Sequence, residues 1–205
     1  GTTTSGSTGS KDEPATPTPE FDDVPKDSWF REDVEKICDA GLMNGISSSQ
    51  FGPQLSTTRG MLVTILYRLE NEPVVKFDHG FTDVSSSSYY STAVAWAAKN
   101  EIVKGIDAAT FASELPVTRE QMASMLFRYA CYRGMDAVTL AENLSAFTDA
   151  DRISPYAIPA LNWAVGAGLI QGSSNRLGPS AYATRAQLAA VLNRFITAQH
   201  ISLDK

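Results

Sequence analysis

Cysteine and histidine are scarce in this chain, with two of each among 205 residues. Cys38 and Cys131 show no C-x-x-C spacing, so neither a thiolate metal cluster nor a disulfide framework is indicated. Each sits in an apolar helical pattern, where a free thiol behaves as a small buried hydrophobe; a bridge between the two stays open. His79 and His200 fall in connecting and terminal segments, not where a base or metal ligand is expected. Positive charge is also in short supply: 17 Lys and Arg face 23 Asp and Glu, for a net charge of −6. So acidic a chain is a poor partner for nucleic acid or an anionic membrane surface, both of which attract basic patches. No stretch approaches the roughly 18 consecutive apolar residues needed to span a bilayer. Glycine-rich phosphate loops, metal-ligand spacings and a paired carboxylate set suited to glycoside hydrolysis are missing too. No catalytic residue is assigned, and no metal or cofactor is implied.

The remaining composition is that of an ordinary globular protein, 43% hydrophobic and 20% charged, and long enough to bury a core without covalent staples. The chain opens on Gly1 rather than Met, which reads as a processed or excised piece of something longer. Residues 1–20, GTTTSGSTGSKDEPATPTPE, contain no large apolar residue to offset the entropy of ordering the backbone. They read as a disordered Thr/Ser/Pro linker of the kind that tethers modules in secreted proteins. An upstream domain of the same protein is expected beyond it.

From Phe21 onward the chain repeats. Phe21-Asp22-Asp23-Val24, Phe81-Thr82-Asp83-Val84 and Phe147-Thr148-Asp149-Ala150 open three copies, and 38 residues after each opening Phe stands Arg59, Arg119 or Arg185. Matching serines (Ser28, Ser88, Ser154), aromatics (Phe30, Tyr90, Tyr156) and mid-loop glycines (Gly45, Gly105, Gly172) lie between. A unit of this length, used three times, cannot bury its apolar face alone. The expected divisions are residues 21–78, 79–144 and 145–205, forming one structural unit.

Each copy reads as helix, loop, helix. The serines are candidate N-caps for the first helix, and Pro155 suits a first helical position. The second helix starts at Thr58, Thr118 or Thr184. Thr118-x-x-Gln121 and Thr184-x-x-Gln187 are capping boxes, which Met61 cannot complete in the first copy. Apolar residues then recur at helical spacing (Leu62, Ile65, Leu66, Leu69 in copy one), giving one buried stripe per helix. The expected fold is mainly α, with three such helices packed about a pseudo-threefold axis.

An arginine in the first turn of a helix faces the positive end of the helix dipole, a poor place for a cation. Three such arginines suggest a carboxylate or similar anion, received by the guanidinium and the helix-start amides together. The alternative is an internal tie from each arginine to Asp23, Asp83 or Asp149. A second set (Arg68, Arg128, Arg194) lies nine residues on, half a turn round the helix. It is expected to point away, solvated or bonded to loop carbonyls.

These motifs together (Phe-x-Asp-Val, Gly-Leu/Ile-x-x-Gly, Phe-x-Pro and Thr-Arg-x-x) resemble the S-layer homology domain in three tandem copies, over residues 21–197. The resemblance implies a three-pronged pseudo-trimer without catalytic activity, secreted and held at the bacterial cell surface. Its grooves between repeats would bind peptidoglycan-linked secondary cell-wall polymer, typically through a pyruvylated N-acetylmannosamine. By motif position, Arg59, Arg119 and Arg185 would grip the ketal carboxylate, while Thr58, Thr118 and Thr184 hold the helix start in place. Gly45, Gly105 and Gly172 would let backbone approach the sugar, or else mark a left-handed turn. Trp29 and Tyr89 would offer a platform to a sugar ring, or else pack in the core. Asp23, Asp83 and Asp149 are expected to bond loop amides. The departures at Met61 and Pro155 imply fewer than three competent grooves. The rival readings are a protein–protein assembly module of a surface lattice, and a module for a different anionic glycan.

Overall fold

The computed structural model describes residues 20–76, 78–135 and 144–201; the linker expected over residues 1–20 lies outside them, Glu20 apart. Six α-helices follow in order: α1 (Arg31–Asp39), α2 (Arg59–Leu69), α3 (Ser91–Lys99), α4 (Arg119–Tyr132), α5 (Ile158–Gly166) and α6 (Arg185–Ala198). Each repeat supplies two of them. Among the described residues β-structure is limited to isolated antiparallel bridges, three of which join different repeats.

The second helices start as their sequences dictate. Thr58, Thr118 and Thr184 are extended N-caps whose hydroxyls accept from the amides of Met61, Gln121 and Gln187. Gln121 and Gln187 return the bond to the threonine amide, at 3.2 and 3.1 Å. The first helices differ from expectation. Helices α1 and α3 begin at Arg31 and Ser91, after Phe30 and Tyr90, and neither of those residues gives a side-chain cap. The serines instead belong to preceding turns, closed by Arg31 N–H to the Ser28 carbonyl and Ser91 N–H to the Ser88 carbonyl. The Ser28 hydroxyl is consumed within its turn by the Pro25 carbonyl, 2.8 Å away.

The main helix–helix contacts run between repeats. Helix α2 packs against α3, α4 against α5, and α6 against α1, so each second helix meets the first helix of the following repeat, cyclically. The apolar stripes explain this swap, because each is buried by a neighbour's helix. Trp96 of α3 packs edge-on against Tyr129 of α4, which meets Phe195 of α6, which meets Trp163 of α5. Side chains of all three repeats thus share one core.

A ring of backbone hydrogen bonds closes the assembly at the residues just before the N-caps. Thr57 N–H donates to the Ala183 carbonyl, Ala183 N–H to Val117, and Val117 N–H to Thr57, at 2.8–2.9 Å. Each second helix then spends its first two amides on the next repeat's loop. Arg59 and Gly60 donate to Leu115 and Ser113, Arg119 and Glu120 to Ala181 and Pro179, and Arg185 and Ala186 to Leu55 and Pro53. The donors that a helix N-terminus normally leaves unsatisfied are therefore bonded inside the protein.

Two positions break the repeat at a cost. Ala112 adopts φ 62°, where the equivalent Gly52 and Gly178 adopt 73° and 61°; an L-residue is strained in that region. Thr57 is fully buried in the ring, but its hydroxyl makes no hydrogen bond within the protein. Its counterparts are Val117 and Ala183. Ala112→Gly is expected to stabilise the fold by about 0.5–1 kcal/mol, the relief of strain exceeding the added unfolded-state entropy. Thr57→Val should add about 1 kcal/mol by replacing an unbonded buried hydroxyl with a methyl. Urea unfolding of both variants checks these signs; a loss of stability in either contradicts its assignment.

Candidate functional site

The three repeated arginines are ties between repeats, Arg59 and Arg185 buried and Arg119 half-buried, and Arg59 and Arg119 also line grooves. Arg59 donates from Nε to the Phe111 carbonyl at 2.9 Å and from Nη2 to the Lys104 carbonyl at 2.8 Å. Arg119 does the same to Leu177 and Gln171, and Arg185 to Phe51 and Asn44. Two guanidinium planes lie over aromatic rings, Arg59 on Phe111 at 4.7 Å and Arg185 on Phe51 at 4.5 Å. Leu177 denies Arg119 that support. Burial pulls all three pKa values below the ordinary guanidinium value, without neutralising them at physiological pH. Their partners are loop carbonyls rather than the opening-motif aspartates.

Those aspartates bond amides instead. Asp23 accepts from Phe51 and Gly52, Asp83 from Phe111 and Ala112, and Asp149 from Leu177 and Gly178, at 2.7–2.9 Å. Burial alone would raise the Asp149 pKa, but its two amide donors and Arg176 bring it below the ordinary value. Each aspartate thus orders the loop whose carbonyls receive an arginine from the preceding repeat.

The second arginine set is turned away from the first on its own helix, and Arg68 and Arg194 bond the Leu42 and Leu169 carbonyls, but Arg128 and Arg194 also line grooves. The set sits half a turn round the same helix, and α4 borders two grooves. Helix α4 gives Arg119 to one groove and Arg128 to another. The groove at Arg119, about 410 Å³, is lined also by Trp29, Gly172, Arg176, Tyr182 and Arg194. The groove at Arg59, about 490 Å³, is lined by Lys104, Gly105, Gln121, Met125, Arg128 and Tyr156. Residues of all three repeats wall each one. Around Arg185, Arg68 bonds the Leu42 carbonyl, and a hollow of about 360 Å³ opens on Asn44 and Gly45 beside Cys38. Cys38 and Cys131 are free thiols, and burial pushes the Cys38 thiol up to about 11 despite the Arg185 charge.

Trp29 and Tyr89 are 62% and 64% exposed, each edge-on to the buried aromatic that follows it. The core-packing alternative for them is thereby excluded. Gly45, Gly105 and Gly172 lack positive φ, so no left-handed turn demands them. A Cβ would instead strike the ring of the opening Phe21, Phe81 or Phe147 and nearby loop carbonyls. Sequence reasoning missed Arg128, Arg176, Arg194, Lys104 and Tyr156 as groove residues. The signal for Arg128 and Arg194 was their repeated offset, whose side of the helix faces a groove.

The S-layer homology domain pattern matches residues 20–60, 80–123 and 146–189. The chain belongs to the S-layer homology family. It is 33% identical over 175 residues to a surface-layer 125 kDa protein of Lysinibacillus sphaericus, covering 82% of this chain and 14% of that protein. It is 29% identical to an exoglucanase of Acetivibrio thermocellus over 84% of the chain, and to an endoglucanase of Bacillus sp. over 86%. The chain spans under a fifth of the length of each of these relatives. S-layer homology domains are non-catalytic anchoring modules of the cell wall, which places this one at the cell surface. No helix among the described residues is long and apolar enough to cross a membrane.

The two arginine sets should separate in stability. Arg59→Ala leaves the Phe111 and Lys104 carbonyls without their donor and uncovers a ring face, an expected loss of about 2–4 kcal/mol. Arg128→Ala, which gives up no such pair of carbonyl bonds, should cost under about 1 kcal/mol. Equal losses in chemical denaturation would contradict the division into tie and groove arginine.

Proposed function

We propose that the inter-repeat grooves bind the anionic terminus of a secondary cell-wall polymer linked to peptidoglycan, with a pyruvylated N-acetylmannosamine as the terminal sugar. One observation carries the reading. In a chain of net charge −6, the two grooves described contain Arg59, Lys104 and Arg128, or Arg119, Arg176 and Arg194, and no carboxylate. Arg176 also lies 3.9 Å from the Asp149 carboxylate behind the wall, but no carboxylate lines either groove, and cations clustered in this way call for an anion from outside.

The helix-start amides do not supply the receptor, since loop carbonyls consume them. The ketal carboxylate is met by guanidinium N–H groups alone. Arg59 and Arg119, each with Nε and Nη2 already engaged, are held rigidly at one wall. Arg128 and Arg194 line the same grooves, and two guanidiniums on one carboxylate give charge-assisted, directional bonds. An exposed aromatic beside them supports the apolar face of the sugar ring. Gly105 and Gly172 border the same space, each packed on its inner side against the ring of Phe81 or Phe147. Two or more linked sites raise the avidity for a wall presenting many termini. The module then tethers the rest of its protein, an upstream domain joined through the Thr/Ser/Pro segment, to the envelope.

The test is cosedimentation with Gram-positive walls bearing pyruvylated polymer, before and after chemical removal of that polymer. Arg128→Ala and Arg194→Ala are the informative variants, because they leave the Arg59 and Arg119 ties intact, Arg194→Ala giving up a single bond to the Leu169 carbonyl. Each is expected to weaken binding about tenfold, which is about 1.4 kcal/mol, and the pair more than either alone. Added salt should weaken binding further. Binding that survives both polymer removal and the double variant defeats the proposal and leaves lattice assembly as the role of the repeats.

A further inference from the structure

The third repeat breaks its pattern at the start of its first helix. In repeats one and two an exposed aromatic precedes a buried one: Trp29 then Phe30, Tyr89 then Tyr90. Repeat three places Pro155 at the position of Trp29, and Tyr156 aligns by sequence with Phe30 and Tyr90. The structure does not keep that alignment. Pro155 opens a 3-10 turn, Pro155–Ala157, ahead of α5, and the burial pattern slips by one residue. Ala157, wholly buried, takes the inward place, and Tyr156, 51% exposed, takes the outward one. The phase is restored by Ala160, which is buried like Val34 and Val94. Tyr156 therefore stands where Trp29 and Tyr89 stand in their repeats, and it lines the groove at Arg59.

A second irregularity meets the first. The position after the helix-start arginine is Gly60 in repeat one and Ala186 in repeat three, but Glu120 in repeat two. Glu120 is buried, 7% exposed, in the first turn of α4. Its carboxylate accepts from the Ser154 amide at 3.0 Å, the Ser154 hydroxyl at 2.8 Å and the Tyr156 hydroxyl at 3.2 Å. Neither Gly60 nor Ala186 offers an acceptor there. The Tyr156 ring is thus fixed at both ends, by the proline turn at its backbone and by Glu120 at its hydroxyl.

We propose that Tyr156 is the sugar-facing platform of the Arg59 groove and that Glu120 is its positioning residue, the two together restoring what Pro155 removes. This rests on the reading of the grooves as glycan sites, and it reverses the expectation that Pro155 spoils a groove. Glu120 is held by Ser154 and Tyr156 and is not itself part of the groove wall. No carboxylate lines that groove beside Arg59, Lys104 and Arg128.

The test uses methionine-methyl NMR of the whole chain titrated with methyl N-acetylmannosaminide carrying a pyruvate ketal. The chain has five methionines; Met125 lines the Arg59 groove and Met43 the hollow at Asn44 and Gly45, so the two report separate sites. Tyr156→Ala and Glu120→Ala are each expected to weaken the Met125-reported site about tenfold, the scale of one lost ring contact. The Met43 response should stay unchanged. The double variant should be no weaker than either single, the mark of two residues acting as one. Glu120→Gln, which keeps an acceptor oxygen, should bind within about twofold of the parent, and thermal melts confirm that each variant folds. If Tyr156→Ala binds as the parent while Arg128→Ala does not, the inference fails and the groove reading stands. If the losses from Glu120→Ala and Tyr156→Ala add, the positioning role fails. If Met125 does not respond in the parent chain, both the inference and the glycan reading of this groove are overturned.

Discussion

Everything in this molecule hangs on how the second helices start. A helix N-terminus exposes amides that need acceptors, and here each set finds them in the loop of the next repeat. Gly60 to Ser113, Glu120 to Pro179 and Ala186 to Pro53 are the same bond made three times round a ring. The bonds among Thr57, Val117 and Ala183 close that ring at its centre. Because every repeat both gives and receives, removing any one would leave amides bare on its neighbour and carbonyls bare on the other. The cyclic packing of α2 on α3, α4 on α5 and α6 on α1 follows, since the ring has already brought those helices together.

The arginines have their place in the same logic. A cation beside the positive end of a helix is unfavourable in isolation. With the end amides already bonded outward, the guanidinium finds carbonyls within reach: Phe111 and Lys104 for Arg59, Leu177 and Gln171 for Arg119. Those carbonyls stand where they do because Asp83 and Asp149 hold the loop amides from the other side. A chain of aspartate, loop and arginine therefore runs from one repeat to the next. It fixes one wall of each groove to the same element that fixes the fold.

Much of this was legible in the sequence because the physics involved is local. Capping boxes at Thr118 and Thr184 and the apolar stripe from Leu62 to Leu69 depend on residues three or four apart, and they lie where the pattern puts them. What was not legible required knowing which surfaces meet. The arginine at Arg128 is half a turn from Arg119, and that fact alone says nothing about a groove on each side of α4. Tyr156 aligns with Phe30 by position, yet the Pro155 turn shifts its phase outward, an effect that becomes visible only with burial. Ser28 looks like a cap until its hydroxyl is seen bonded to Pro25.

The sharing of grooves between repeats bears on how such a module can change. Each of the two described grooves draws residues from three repeats, so a substitution in one repeat can be answered only from another. Pro155 in repeat three and Glu120 in repeat two stand at different points of the sequence pattern, one at the start of a first helix and one at the start of a second, and they meet through Ser154 and Tyr156. Within repeat two alone, Glu120 is simply an acidic residue in a helix's first turn. Within repeat three alone, Pro155 is simply a lost aromatic. Repeat-by-repeat comparison with a family pattern scores both as departures, whereas the folded ring makes them one arrangement. The physical unit of binding in this architecture is the seam between repeats, and variation at a seam keeps its sense only when both sides are read together.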